Sequence, residues 1–154
     1  MTMRASTDGP ALALLELCSV ARGMKACDAM VKRASVTVNF AAPVHPGKYV
    51  IIIGGGVDEV AESLKSGRMI AGDTLVDHLW LPNPHGQLID VLDAPRSPHF
   101  DSIGVFEALS VASVIRAADA ALKRAEVEAC SMRLADDLGG KGYFLFSGAL
   151  HDVE

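Results

Sequence analysis

The order of apolar and polar residues in the first part of this chain predicts a strand, a helix and two further strands. Residues 11–17 form a continuous apolar run that is typical of a buried strand. Ser19 is a suitable N-cap for a helix that would run to about Ala34. The buried face of this helix is predicted from apolar residues at steps of three or four, which are Val20, Met24, Cys27, Val31 and Ala34. Residues 36–40 and 48–54 then predict two strands, joined by a turn rich in Pro and Gly.

The first half of the chain continues with a helix, a strand and a second helix. Glycines at 54–56 lead into a predicted helix at about 58–66, and residues 75–81 alternate as a strand. The Pro-Asn-Pro-His-Gly sequence at 82–86 breaks the chain before a short helix predicted at 87–92.

The glycine run is also compatible with a phosphate-binding loop, but its surroundings argue against one. No Gly-Lys-Ser/Thr accompanies the glycines. Asp58 and Glu59 place two carboxylates at the start of the predicted helix, where a bound anion needs positive potential. We therefore expect no nucleotide at this turn.

Residues 102–127 repeat the pattern of residues 11–36, so the chain contains a duplication. The residues that recur at constant spacing include the pairs Glu16/Glu107, Ser19/Ser110, Ala26/Ala117, Asp28/Asp119, Lys32/Lys123, Arg33/Arg124 and Val36/Val127. A duplicated unit usually buries its apolar face against its copy. The pattern thus predicts two tandem α+β domains, each with a mainly antiparallel sheet and helices packed on it.

The expected division of the chain follows from this repeat. Residues 1–10 would be a leader, residues 11–92 the first domain, residues 93–101 a linker and residues 102–154 the second domain. The second copy lacks counterparts of the rest of a helix, a strand and a closing helix, so it is predicted to be truncated at its C-terminal end.

Composition and charge argue against several classes of protein. Apolar residues make up 50% of the chain, and the net charge of -5 without any basic run argues against a nucleic acid partner. No apolar run approaches the roughly 20 residues of a membrane-spanning helix. Cys18, Cys27 and Cys130 lack metal-binding spacing, and we interpret them as reduced thiols of a cytosolic protein.

The sequence offers little support for catalysis. A nucleophile would have to be Ser19, Ser110 or a cysteine, and none has a local base partner or an elbow motif. Glu16 and Glu107 recur at the strand-to-helix junction of both copies, which favours a structural role. We therefore predict that the protein is not an enzyme.

The repeated segment resembles the start of the bacterial microcompartment shell domain. The resemblance includes an Asp-Ala-x-x-Lys helix ending, present at 28–32 and again at 119–123. Residues 45–60, HPGKYVIIIGGGVDEV, are similar to the pore turn, second strand and second helix start of that family. Two copies in one chain resemble its tandem-domain members, which form trimers shaped like hexagonal tiles.

The resemblance implies a structural protein of a microcompartment shell in the bacterial cytoplasm. Its partners would be two further copies of itself, other shell proteins, and small metabolites that pass through a central pore. The residues implied to line the pore are Val44, His45, Pro46 and Gly47. Lys32 and Lys123 would lie at tile edges, whereas without the resemblance they are simple helix pairs with Asp28 and Asp119. The family commonly has Pro-Arg-Pro-His where residues 82–85 are Pro-Asn-Pro-His, so an arginine of the tile contacts is replaced.

His45 stands where similar trimers of propanediol-utilising compartments carry a cysteine that binds an iron–sulfur cluster on the threefold axis. Histidine disfavours such a cluster because thiolates usually anchor it, whereas three imidazoles suit zinc, copper or nickel. The only cofactor we consider is therefore a metal ion at a ring of His45 side chains. Below about pH 6.5, the ordinary pKa of imidazole, such a ring would also be positively charged and favour anions.

Two other functions remain open at this point. The chain could form a small-molecule or metal-binding trimer that does not assemble into a shell, or a metal-dependent enzyme with its site at the His45 ring. Sheet or shell formation by the purified protein distinguishes the first from a shell protein, and a chelator-sensitive activity would indicate the second.

Overall fold

The computed structural model of this protein describes residues 9–99, 102–135 and 138–154. These residues belong to two compact units, of which the first ends at Pro84 and the second begins at His85. Most of the expected leader lies outside the described residues. None of the helices in these ranges is long and apolar enough to cross a membrane.

The first unit is a four-stranded antiparallel sheet in the order β2-β3-β1-β4, with two helices. Its elements are β1 (Ala11–Leu17), α1 (Val20–Arg33), β2 (Thr37–Val44), β3 (Lys48–Gly55), α2 (Val57–Ala71) and β4 (Leu75–Leu81). The strand β1 is buried along its whole length because β3 and β4 pair with its two edges and α2 packs against it. The helix α2 extends beyond the predicted end at Ser66. Gly67 does not end it, and the missing side chain there makes room for Leu15 and Met30.

The helix α1 begins as predicted but buries a different face. Ser19 is its N-cap, and its Oγ accepts a hydrogen bond from the backbone N–H of Arg22 at 3.3 Å. The predicted buried face is wrong, since Met24 is 56% exposed and Val31 is 42% exposed. The buried residues of this helix are Gly23, Ala26 and Met30. At Gly23 only a residue without a side chain fits, because the ring of Tyr49 occupies the space where a Cβ atom would stand.

The second unit is a three-stranded antiparallel sheet in the order β5-β7-β6, which repeats the order β1-β3-β2 of the first unit. Its elements are α3 (Gly86–Asp93), β5 (Ser102–Ala108), α4 (Val111–Arg124), β6 (Val127–Leu134), β7 (Gly142–Gly148) and α5 (Leu150–Val153). The described residues provide no counterpart of β4 beside β5. As a result, Ile103, Val105 and Phe106 of β5 are exposed, whereas the corresponding leucines of β1 are buried.

The helix α3 belongs to the second unit, although the sequence analysis assigned it to a first domain that ended at residue 92. It packs on α4 and β6, with Leu88 and Val91 buried. The backbone N–H of His85 donates to Oδ1 of Asp119 at 2.8 Å, and Oε1 of Gln87 accepts from the backbone N–H of Ala129 at 2.9 Å. The division therefore lies at residues 84 and 85, earlier than the one we expected from the sequence.

Candidate functional site

The turn between β2 and β3 carries His45, Pro46 and Gly47 into solvent. The backbone N–H of Gly47 donates to the carbonyl oxygen of Val44 at 2.9 Å, which closes the turn. Gly47 has φ +103°, a conformation that favours glycine, and the His45–Pro46 peptide bond is cis. The four residues implied to line a pore are thus neighbours in one tight, exposed turn.

An ion pair lies at the base of this turn. Nζ of Lys48 donates to Oε1 of Glu16 at 2.8 Å, and the side chain of Glu16 is fully buried while that of Lys48 is 18% exposed. A buried carboxylate is costly unless it is paired. The pair therefore joins the end of β1 to the start of β3 and fixes the point from which the turn leaves the sheet.

The same ion pair recurs in the second unit. Nζ of Lys141 donates to Oε1 of Glu107 at 2.9 Å, but these side chains are 45% and 62% exposed. The recurrence of Glu16 and Glu107 agrees with the structural role that we inferred for them. Sequence analysis missed their pairing with Lys48 and Lys141, although the fact that all four residues recur together was a usable signal.

The turn between β6 and β7 is longer than the turn at His45. The backbone N–H of Ala135 donates to the carbonyl oxygen of Lys141 at 2.9 Å, and that of Lys141 donates to the carbonyl oxygen of Leu138 at 3.2 Å. Residues 136 and 137 lie outside the described ranges. The two copies thus present different turns on equivalent hairpins, and only the first carries a histidine.

The described residues contain no cluster of three or more His, Cys, Asp or Glu side chains that could hold a metal ion within one chain. The turn at 44–47 contains no cysteine, so it lacks the thiolates that an iron–sulfur cluster needs. It offers one exposed imidazole per chain. A metal ion there would need His45 from more than one chain.

The two lysines implied to lie at tile edges differ in their surroundings. Nζ of Lys32 donates to Oδ2 of Asp28 at 2.7 Å, with side chains 72% and 57% exposed. Nζ of Lys123 donates to Oδ2 of Asp119 at 2.7 Å, with side chains 41% and 8% exposed. Asp119 is the more buried of the two carboxylates because the turn before α3 covers it.

The residues considered for catalysis or anion binding have structural contacts. Ser19 and Ser110 are the N-caps of α1 and α4, and Oγ of Ser110 accepts from the backbone N–H of Ser113 at 3.1 Å. At the start of α2, the carboxylate of Glu59 lies over Gly56. A carboxylate at this position disfavours a bound anion at the start of α2.

Comparison with known proteins identifies relatives for nearly the whole chain. The model of the BMC domain matches residues 11–84 and again residues 102–154. The bacterial microcompartment shell protein PduT of Citrobacter freundii is 38% identical over 144 residues, which are 93% of this chain and 78% of that protein. The carboxysome shell protein CcmK2 of Synechococcus elongatus is 31% identical over 86 residues, 53% of this chain and 84% of that protein.

Solved structures show the same similarity. A microcompartment protein from Desulfitobacterium hafniense superposes with a TM-score of 0.79 at 36% identity, covering 93% of this chain and 80% of that one. A fused, permuted hexameric shell protein of the RMM microcompartment superposes with a TM-score of 0.66 at 18% identity, covering 92% and 74%. The second similarity is one of fold alone.

Proposed function

This chain belongs to the BMC domain family and is a shell protein of a bacterial microcompartment, and we propose that three copies of it form one tile with a central pore. The observation that carries the proposal is the presence of two BMC domains in one chain. Three such chains supply six units, which close a ring with threefold symmetry. The tile would pack beside other shell proteins in the wall.

We place the pore at the turns that carry His45. This turn is exposed, closed by its own hydrogen bond, and held at its base by the buried pair of Lys48 and Glu16. A turn fixed in this way can define an opening of constant shape. In the ring, three such turns would alternate with three longer turns from the second copies.

We propose further that three His45 side chains form the narrowest polar ring of the pore. Three imidazoles match the ligand count of zinc sites that keep one open position, whereas the missing cysteines disfavour an iron–sulfur cluster. A metal ion bound there would supply a positive charge on the pore axis.

The oligomer is tested by mass and by imaging. Light scattering should give the mass of a trimer, and electron microscopy should show hexagonal tiles that associate into sheets. A monomer or dimer under conditions that preserve the fold would contradict the tile. A trimer that never forms sheets would instead favour a ligand-binding trimer outside any shell.

The role of His45 is tested by His45→Ala, with His151→Ala as the matched control because that histidine is also exposed, at 83%. His45→Ala should abolish stoichiometric zinc binding and remove the increase in anion permeation that zinc produces. Both variants should melt like the parent. If His45→Ala leaves both metal content and permeation unchanged, then His45 does no more than fill the turn.

We also propose that Lys32 lies at the tile edge. Its side chain is 72% exposed, so Lys32→Ala should leave the trimer intact and impair sheet formation. Lys65→Ala on α2 is the control, since that residue is exposed as well. Equal assembly by parent and both variants would remove Lys32 from the edge.

The proposed role is structural and not enzymatic. The relatives named above are shell proteins, and in this chain Ser19 and Ser110 are used as helix caps. An activity of the purified trimer that a chelator abolishes would contradict this part of the proposal.

A further inference from the structure

A groove runs between the helices α1 and α2 on the surface of the first unit. It has a volume of about 320 Å³ and is lined by Arg33 at the end of α1 and by Glu62, Lys65, Ser66 and Met69 of α2. The four residues of α2 are spaced so that they lie on one side of the helix. The volume is at the lower end of the range of ligand-binding clefts. The groove is therefore large enough for a small organic molecule.

The guanidinium group of Arg33 is held in place by Glu62. Its Nε donates to Oε2 of Glu62 at 3.2 Å, and its Nη2 donates to the same oxygen. Both bonds use one edge of the guanidinium plane, so the N–H groups of Nη1 and the second N–H of Nη2 have no hydrogen-bond partner among the described residues. Two adjacent N–H groups in one plane match the two oxygens of a carboxylate. Arg33 therefore offers the groove an oriented site for one carboxylate.

Lys65 makes the groove positively charged. The hydrogen bonds and charge of Arg33, and then the charge of Lys65, lower the pKa of the Glu62 carboxyl below its ordinary 4.5. Both cations thus act on the same carboxylate, and two positive charges face one negative charge in a chain whose net charge is -5. A bound monoanion would balance this local excess of positive charge.

The remaining wall of the groove is partly apolar. Met69 is 77% exposed, and a flexible thioether of this kind packs against aliphatic groups of different shapes. Oγ of Ser66 donates to the carbonyl oxygen of Ala29 at 3.4 Å, so an anion in the groove is bound by the two cations and not by this hydroxyl. The groove thus combines a site for one anionic group with an apolar surface that covers a short chain.

The second copy has the arginine of this groove without its other charged residues. Arg124 holds the place of Arg33 and is exposed at the end of α4. The described residues of the second unit provide no counterpart of Glu62 or Lys65, because α5 ends at Val153. Arg124 is therefore a matched control for Arg33, and the expected stoichiometry is one ligand per chain.

We propose that this groove binds a small organic monocarboxylate with a short aliphatic chain. The carboxylate would accept two hydrogen bonds from the unused edge of Arg33 and lie in the field of Lys65, while the chain packs on Met69. A carboxylate suits the site better than a phosphate dianion, whose second charge the groove does not balance. The site lies within the first unit of one chain and contains no residue of the turn at 44–47, so this inference does not rest on the proposed tile or its pore.

The test is a titration of the full, ¹⁵N-labelled chain with sodium pentanoate, followed by the amide resonances of α1 and α2. Sodium chloride at the same concentrations controls for ionic strength. Pentanoate should shift the resonances of residues 62–69 along a saturating curve, with a Kd of about 1–10 mM. Acetate should bind about fivefold more weakly, because it lacks the methylene groups that Met69 would cover.

Variants assign the two parts of the ligand. Arg33→Ala should weaken pentanoate binding by about tenfold, the usual effect of losing hydrogen bonds to a charged group, while Arg124→Ala should bind like the parent. Arg33→Lys keeps the charge but loses the planar pair of N–H groups, so it should restore only part of the affinity. Met69→Ala should reduce the preference for pentanoate over acetate, and Met69→Leu should keep it. Circular dichroism verifies that each variant remains folded.

The outcomes separate this inference from the proposed tile. Equal affinity of the parent and Arg33→Ala, or shifts that chloride reproduces, would overturn the site. Phosphate that binds as tightly as pentanoate would overturn the assignment to monocarboxylates. Saturable binding by a chain that light scattering shows to be monomeric would support the site and contradict only the tile. Ligand binding does not require assembly, so Lys65→Ala still serves as the control for sheet formation.

Discussion

The ring of Tyr49 fills the place where a Cβ atom on Gly23 would stand. The second copy has the opposite arrangement at the same contact between helix and strand. Val114 replaces the glycine and Gly142 replaces the tyrosine, and a Cβ added to Gly142 would lie 3.1 Å from Cγ2 of Val114. Each copy therefore holds one large and one small residue at this contact, on opposite elements.

This exchange predicts strong coupling between Gly23 and Tyr49. Gly23→Val alone should destabilise the first unit by about 1–3 kcal/mol, because the added methyl groups overlap the tyrosine ring. Tyr49→Gly in the same chain recreates the arrangement of the second copy. The double variant should therefore be more stable than the sum of the single effects by about 1 kcal/mol or more.

Urea unfolding followed by the fluorescence of Trp80, the single tryptophan of the chain, measures this coupling in the first unit. Gly23→Val combined with Tyr49→Phe is the control, since removing only the hydroxyl leaves the ring in place and should relieve nothing. Strict additivity in the Tyr49→Gly double variant would show that the two side chains do not compete for one space.

The ion pair recurs in both units, but the same substitution of its lysine should reduce stability by different amounts in the two. Lys48→Met leaves the buried carboxylate of Glu16 without its ammonium partner and should cost about 2–4 kcal/mol. Lys141→Met removes the exposed counterpart and should cost less than about 1 kcal/mol. Denaturant midpoints from Trp80 fluorescence and from circular dichroism follow the two units. Equal losses in both variants would mean that burial of Glu16 does not set the cost.

Among the three glycines before α2, Gly55 should be the one at which a substitution strains the backbone. Gly55 has φ +154°, a value that side-chain-bearing residues rarely adopt, although the nearest atoms leave room for a Cβ at 3.5 Å. Gly55→Val should therefore lower the free energy of unfolding by about 1 kcal/mol or more through backbone strain. Gly86→Val, at an open position of α3, is the control and should change the free energy by less than about 0.5 kcal/mol. Equal melting temperatures for parent and Gly55→Val would show that the turn tolerates another conformation.

The thiol of the half-buried Cys27 and the hydroxyl of the buried Tyr49 predict a loss of stability at alkaline pH. Burial, and secondarily the charge of Asp28, raise the pKa of the Cys27 thiol above its ordinary 9.0, and burial together with Cys27 raises the pKa of the Tyr49 hydroxyl above 10.0. The folded chain thus holds these protons more tightly than the unfolded chain. Their stabilising effect is complete below about pH 9 and is lost as the pH rises. The urea midpoint should therefore fall between pH 8 and pH 11, and fall less in Cys27→Ser and Tyr49→Phe; equal slopes in all three proteins would contradict the assignment.

Much of the fold could be predicted from the sequence, because a fully buried strand and a capped helix start each leave a clear local pattern of residues. The run at β1 and the Ser19 cap are of this kind, and both copies repeat them. The buried face of α1 could not be predicted in this way. Met24 and Val31 face outward, while Gly23 and Ala26, which carry little pattern of their own, are buried together with Met30.

Site residues were predictable only as far as they are neighbours in sequence. The turn at 44–47 is local and could be recognised from its prolines and glycine. The pair of Glu16 and Lys48 depends on strand pairing across the sheet, and the cover over Asp119 depends on α3 packing with the other copy. Both contacts join residues that lie far apart in the sequence, so the hydrophobic pattern of a single helix or strand cannot predict them.

The two hairpins keep one register although their turns differ in length. Each ladder shifts at the same place, at Asn39 in one copy and at Cys130 in the other, and the pairing of Pro43 with Tyr49 corresponds to that of Leu134 with Gly142. Extra residues at the tip of β6 and β7 are therefore absorbed beyond the last pair and never reach the core. The tip of each hairpin is therefore the place where residues can be added or removed without changing the pairing of the strands, and the duplication gives the chain two such tips that can differ independently.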